Sequence, residues 1–84
     1  MDKEMAVVIF NATKRNIFVD LEIPLFISAN DLVIALNEAF DLKIDTSDIK
    51  NCYLKSERPI ALLKGNKTLL DFGIRNGSVI YYTE

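Results

Sequence analysis

The sequence predicts an α+β roll: a mixed β-sheet with one α-helix laid across one of its faces. Three stretches carry that reading. Ile17–Ile23 alternates apolar and polar residues with period two, as a half-buried strand does. Leu32, Val33, Leu36, Ala39 and Phe40 recur at helical spacing behind a polar cap. Val79–Thr83 is β-branched and aromatic throughout, and follows a compact turn.

In chain order, residues 5–11 form a first strand of high β propensity, and the polar 12–16 segment is of hairpin length. In 17–23, Ile17, Val19, Leu21 and Ile23 share one face, with Phe18, Asp20 and Glu22 on the other. The odd set is expected to face the core. Carrying that register back through a short hairpin turns Val7 and Ile9 inward, and Val8 and Phe10 outward. Pro24 ends the strand.

Ser28 is suited to cap a helix from about Ala29 to Phe40, and Asp31 three residues later suits the N-terminal dipole. Asp41–Ile49 is polar, anchored by Leu42 and Ile44. In 51–55 the alternation returns, with Cys52 and Leu54 as the inward pair, and Pro59–Leu63 reads as a short edge strand. Lys64–Asn66 turns the chain, 68–74 reads as one tight turn, and Asn76-Gly77 tolerates the positive φ of a second. A two-strand hairpin precedes the helix, and two short strands and a final strand follow it. Only a crossover joins the halves, so the first and last strands run parallel at the sheet centre.

The totals bound the function. Eighty-four residues make one domain, 1–84, and half are apolar. A chain of this size buries roughly 60–65 % of its unfolded surface. A net charge of −2 gives no basic stripe for nucleic acid. One cysteine and no histidine exclude an intrachain disulfide and a Cys/His zinc site. No apolar run reaches the length of a signal core or membrane span, so the expected location is the cytoplasm. The three Asn-x-Ser/Thr sequons at Asn11, Asn66 and Asn76 are then read as turn residues.

Motifs for chemistry are weak. Asp71-Phe72-Gly73 spells a kinase tripeptide in a chain far too short for a kinase. Gly65-Asn66-Lys67-Thr68 lacks the earlier glycine of a phosphate loop. Cys52 has no histidine to activate it and reads as a small core residue. Asp20, Glu22, Asp45 and Asp48 read as solvated surface rather than general acids. No catalytic, cofactor or metal residue, and no small-molecule substrate, is therefore expected.

The hairpin ending at Ile23-Pro24, the helix capped at Ser28, and above all Thr68-Leu69-x-Asp71-Phe72-x-Ile74 before the last strand resemble the ubiquitin-like (β-grasp) superfamily. The resemblance covers nearly the whole chain and implies a sheet of four to five strands in the order 2-1-5-3-4. Conjugated modifiers and sulfur carriers of that superfamily end in a flexible Gly-Gly tail, whereas Tyr82-Thr83-Glu84 follows the strand directly here. A modifier or carrier activated at Glu84 is accordingly the alternative reading. Within the superfamily the chain looks like the YukD/EsaB family. That implies a non-enzymatic accessory or regulatory component of a bacterial type VII (ESX/Ess-like) secretion system, with protein partners from that machinery.

On the expected register, Val8, Phe10, Phe18, Tyr53 and Tyr81 point away from the helix. Val79 joins them, ringed by Asp20, Glu22, Lys55 and Thr83. Contiguous exposed aromatics with a charged rim mark a docking surface for a protein partner or a second copy of the chain. The candidate contact residues are Val8, Phe10, Phe18, Tyr53, Lys55, Val79 and Tyr81. Ubiquitin uses the same sheet face for recognition. Lys55 stands where its central aliphatic residue would be, so ubiquitin receptors are not expected to bind.

Overall fold

The computed structural model describes residues 4–48 and 50–83. Ile49 and Glu84, together with the Met1–Lys3 start, lie outside them. The strands are β1 (Met5–Ala12), β2 (Ile17–Pro24), β3 (Leu54–Glu57), β4 (Ala61–Leu63) and β5 (Val79–Tyr81). The helices are α1 (Ala29–Phe40) and the single turn α2 (Leu69–Phe72). The five strands are ordered β2-β1-β5-β3-β4, with β5 parallel to β1 and antiparallel to β3. This is the sheet the sequence predicts.

Helix α1 starts where its cap chemistry dictates: Ser28 Oγ accepts the Asp31 N–H at 3.0 Å. It buries Ala29, Leu32, Val33 and Leu36 against the sheet. Ala39, expected on the buried stripe, is exposed, and Ala29 extends the stripe at the other end. Phe40 packs its ring on Phe10, centroids 5.1 Å apart.

After Asp41 closes the helix in the left-handed region, Asn37 clamps the loop. Its Oδ1 accepts the Ile44 N–H at 2.9 Å and its Nδ2 donates to the Ile44 carbonyl at 3.1 Å. Thr68 caps α2 as Ser28 caps α1, and the two caps pair as an isolated antiparallel bridge. Main-chain bonds from Leu69 to Ile27 and from Leu70 to Leu25 tie α2 to the segment entering α1.

The β1 register is opposite to the expected one. Ala12 pairs with Ile17, Phe10 with Val19, Val8 with Leu21 and Ala6 with Ile23. Directly opposed residues share a face, so the even residues of β1 join the odd residues of β2 on the helix side. Ala6, Val8, Phe10 and Ala12 are buried, while Val7 is exposed and Ile9 half-buried on the far side. The cause is loop length. The strand runs one residue further than expected, leaving the four residues 13–16: a 3-10 turn closed by Asn16 at φ 59°. A one-residue change in pairing flips every side chain to the other face. On β2, Ile17 and Leu21 are half-buried and Ile23 is buried, as expected of the inward set, but Val19 on this edge strand is exposed.

The second half is shifted rather than inverted. The third strand begins at Leu54 instead of Asn51, with Cys52 and Leu54 buried as expected. Pro59 sits in the β3–β4 turn, whose closure is fixed by Ser56 Oγ donating to the Pro59 carbonyl at 2.7 Å. The buried Ser78 Oγ donates to the Arg58 carbonyl at 2.6 Å and accepts the Arg75 N–H at 3.0 Å. These bonds satisfy two hydroxyls that the core would otherwise penalise.

Candidate protein-interaction surface

The sheet face opposite α1 is built from alternate residues of five strands. β1 contributes Met5, Val7, Ile9 and Asn11, and β2 contributes Phe18, Asp20 and Glu22. β5 contributes Val79 and Tyr81, β3 contributes Lys55 and Glu57, and β4 contributes Leu62. Pairing sets them in rows. One reads Asp20–Ile9–Val79–Glu57, the next Phe18–Asn11–Tyr81–Lys55–Leu62.

Beyond Val79, the row of Glu22 and Val7 continues to Gly77, whose N–H donates to the Val7 carbonyl at 3.0 Å. The Val7 N–H donates to Asn76 Oδ1 at 2.7 Å, so the turn completes the ladder where β5 has not yet begun. Phe18 is 71 % exposed, Val7 47 % and Met5 40 %; Ile9, Val79 and Tyr81 are half-buried among them.

Of the expected contact residues, Val8 (1 % exposed) and Phe10 (0 %) are core and offer nothing to a partner. Their burial follows from the β1 register. Phe18, Lys55, Val79 and Tyr81 do share the outer face, and Tyr53 sits just before β3 at the same parity. Tyr53, Lys55, Tyr81 and Thr83 line one cleft. Sequence reasoning missed Met5, Val7, Ile9 and Glu57. The signal that could have found them is the hairpin loop: a four-residue count ending on Asn16 places Val7 and Ile9 outward.

The other sequence candidates behave as structural groups. Cys52 is buried with its Sγ 3.5 Å from Asn30 Oδ1. Burial, and then the nearby Asp45 and Asp48 carboxylates, push its thiol pKa up. Both effects oppose thiolate formation. Asp45 caps its own turn, accepting from the Ser47 hydroxyl at 2.6 Å and the Ser47 N–H at 3.0 Å, and these bonds hold its carboxyl below the usual range. Gly65-Asn66 is a turn with Gly65 at φ 82°, and Asp71-Phe72-Gly73 ends α2 with Gly73 at φ 89°. Among the described residues, no group of three or more His, Cys, Asp or Glu side chains is placed to hold a metal ion. No described helix is long and apolar enough to cross a membrane.

Comparison with solved structures places the fold. The C-terminal ubiquitin-like domain of mouse tubulin-specific chaperone e matches with a TM-score of 0.75 at 12 % identity, covering 99 % of this chain and 89 % of that one. A ubiquitin-like domain from tubulin-binding cofactor B matches at 0.75 and 18 % identity, over 99 % and 92 %. At these identities the likeness is one of fold, which is ubiquitin-like. A comparison with curated protein sequences finds no match. The family model for the YukD protein of the WXG100 protein secretion system (Wss) matches residues 5–81, from the start of β1 to the end of β5. The chain belongs to the YukD family.

Proposed function

We propose that this protein is a non-enzymatic accessory component of a bacterial type VII (WXG100) secretion system, working in the cytoplasm and acting by protein–protein contact through the outer face of its sheet. Family membership supports the first part. The observation that carries the second is the aliphatic strip of Met5, Val7, Ile9 and Val79, left open on a sheet whose other face is covered by α1. Antiparallel sheets with one wet face normally carry polar residues there, and apolar side chains gathered within a charged rim mark an interaction surface.

A genetic complementation tests both parts. Deleting the gene should lower secretion of the WXG100 protein into the medium, and the wild-type copy should restore it. A Val7→Asp/Val79→Asp copy should fail to restore it while remaining folded by circular dichroism. A Leu70→Asp copy, altered at an exposed position on α2, should restore it fully. Unchanged secretion in the deletion strain would remove the accessory role. Full restoration by the Val7/Val79 copy would remove the sheet face.

A further inference from the structure

The charges on the outer face are not scattered. Asp20 and Glu22 form a column on β2, opposite Ile9 and Val7, and Glu57 stands across the strip on β3, opposite Val79. Asp20, Glu22 and Glu57 are all exposed. Between the two acidic sides run β1 and β5, carrying Val7, Ile9 and Val79. Asp20 and Glu57 are three strand spacings apart, about 14 Å. Along β1 the strip from Met5 to Asn11 is about 20 Å long. The face is thus an aliphatic trough flanked by two carboxylates on β2 and one on β3, bounded at one end by Phe18, Tyr81 and Lys55.

An α-helix is about 10–12 Å wide with its side chains, and about 13 residues cover 20 Å. An extended segment would look for free backbone groups at a sheet edge, whereas the groups of β1 and β5 in the trough are already paired. A second copy of the chain would bring acidic columns against acidic columns, which disfavours self-association.

We propose that the trough takes a cationic amphipathic α-helix of about 13 residues from a partner protein, its apolar stripe on Met5, Val7, Ile9 and Val79, and its Lys or Arg flanks against Asp20 and Glu22 on one side and Glu57 on the other. The proposal rests on the sheet-face reading above and names its occupant. An acidic residue at the helix end nearest Lys55 sets its direction.

The probes are three synthetic 14-residue peptides: a Leu-striped helix with Lys flanks, the same helix with Glu flanks, and the Lys peptide broken by two central prolines. Titrated into the ¹⁵N-labelled protein at low salt, the Lys helix is expected to shift the amides of Val7, Ile9, Val79 and Tyr81. Its affinity should fall at least tenfold in Asp20→Lys/Glu22→Lys/Glu57→Lys. The isosteric Asp20→Asn/Glu22→Gln/Glu57→Gln variant should show an intermediate loss, which guards against misfolding in the charge reversal. Equal binding of the Glu helix or of the broken peptide, shifts mapping away from the trough, or no binding would each overturn the proposal. Its failure is separable from that of the sheet face. If cells carrying the charge reversal secrete normally while Val7→Asp/Val79→Asp cells do not, the face stands and the cationic helix falls.

Discussion

Replacing Phe10 by alanine tests the β1 register directly, because Phe10 and its neighbour Ile9 exchange roles if the strand is flipped. Phe10 is fully buried and packs on Phe40. Truncating a buried phenylalanine costs about 3–5 kcal/mol, the lost transfer free energy plus the cavity left behind. A domain of this length has roughly 4–13 kcal/mol to lose, so the variant gives up at least about a quarter of it. Ile9 is half-buried on the outer face, and Ile9→Ala should cost under about 1.5 kcal/mol. Urea unfolding followed by far-UV circular dichroism gives both values, with the slope m unchanged if the unfolded states are alike. For a domain of this size each kcal/mol moves Tm by about 4–8 °C, so the two variants should differ in Tm by about 6 °C or more. A larger loss at Ile9 than at Phe10 would refute the register and, with it, the trough.

Other outcomes follow from single contacts. Asn37→Ala should cost about 1–3 kcal/mol, because it strands the part-buried N–H and C=O of Ile44. Faster amide exchange at Ile44 would locate the effect. Ser78→Ala should cost a similar amount in urea unfolding, since the Arg58 carbonyl and Arg75 N–H both lose their partner. The Cys52 thiol has a folded-state pKa raised above its ordinary value, so it favours folding below that ordinary value. The contribution is lost as pH rises from the ordinary thiol range through the folded-state pKa. Thermal unfolding between pH 8 and 10 should therefore show a decline that is smaller in Cys52→Ala, and native-state alkylation of Cys52 should be slow.

How much of this was legible depended on local redundancy. The span of α1 could be read because a Ser28 cap, an apolar stripe and an end at Phe40 agreed. The parallel pairing of the first and last strands at the sheet centre followed from connectivity, and the full strand order from the family resemblance. β1 resisted because Met5–Ala12 is apolar at both parities: Ala6, Val8 and Phe10 compete with Val7 and Ile9 for the core, and alternation does not choose between the two sets. The deciding quantity was the number of residues in the hairpin loop, a geometric fact held in the positive φ of Asn16. The expected docking surface inherited that error at Val8 and Phe10, while Phe18 and Lys55 kept their side because β2 and β3 alternate; β5, apolar at each position, takes its facing from its pairing with β1 and β3. The polar clamps at Asn37, Ser56 and Ser78 were invisible, since their partners are main-chain groups whose positions only the tertiary fold defines.

The strand at the middle of the sheet is also the last to be synthesised. Until Val79–Tyr81 emerges, the β1–β2 hairpin and the β3–β4 hairpin are two separate ribbons, and the inner edges of β1 and β3 wait unpaired. Open edges of this kind recruit whatever strand is at hand. Ribosome-bound chains stalled before Val79 should therefore be protease-sensitive and reliant on chaperones, and protection should arrive in a single step when β5 is released.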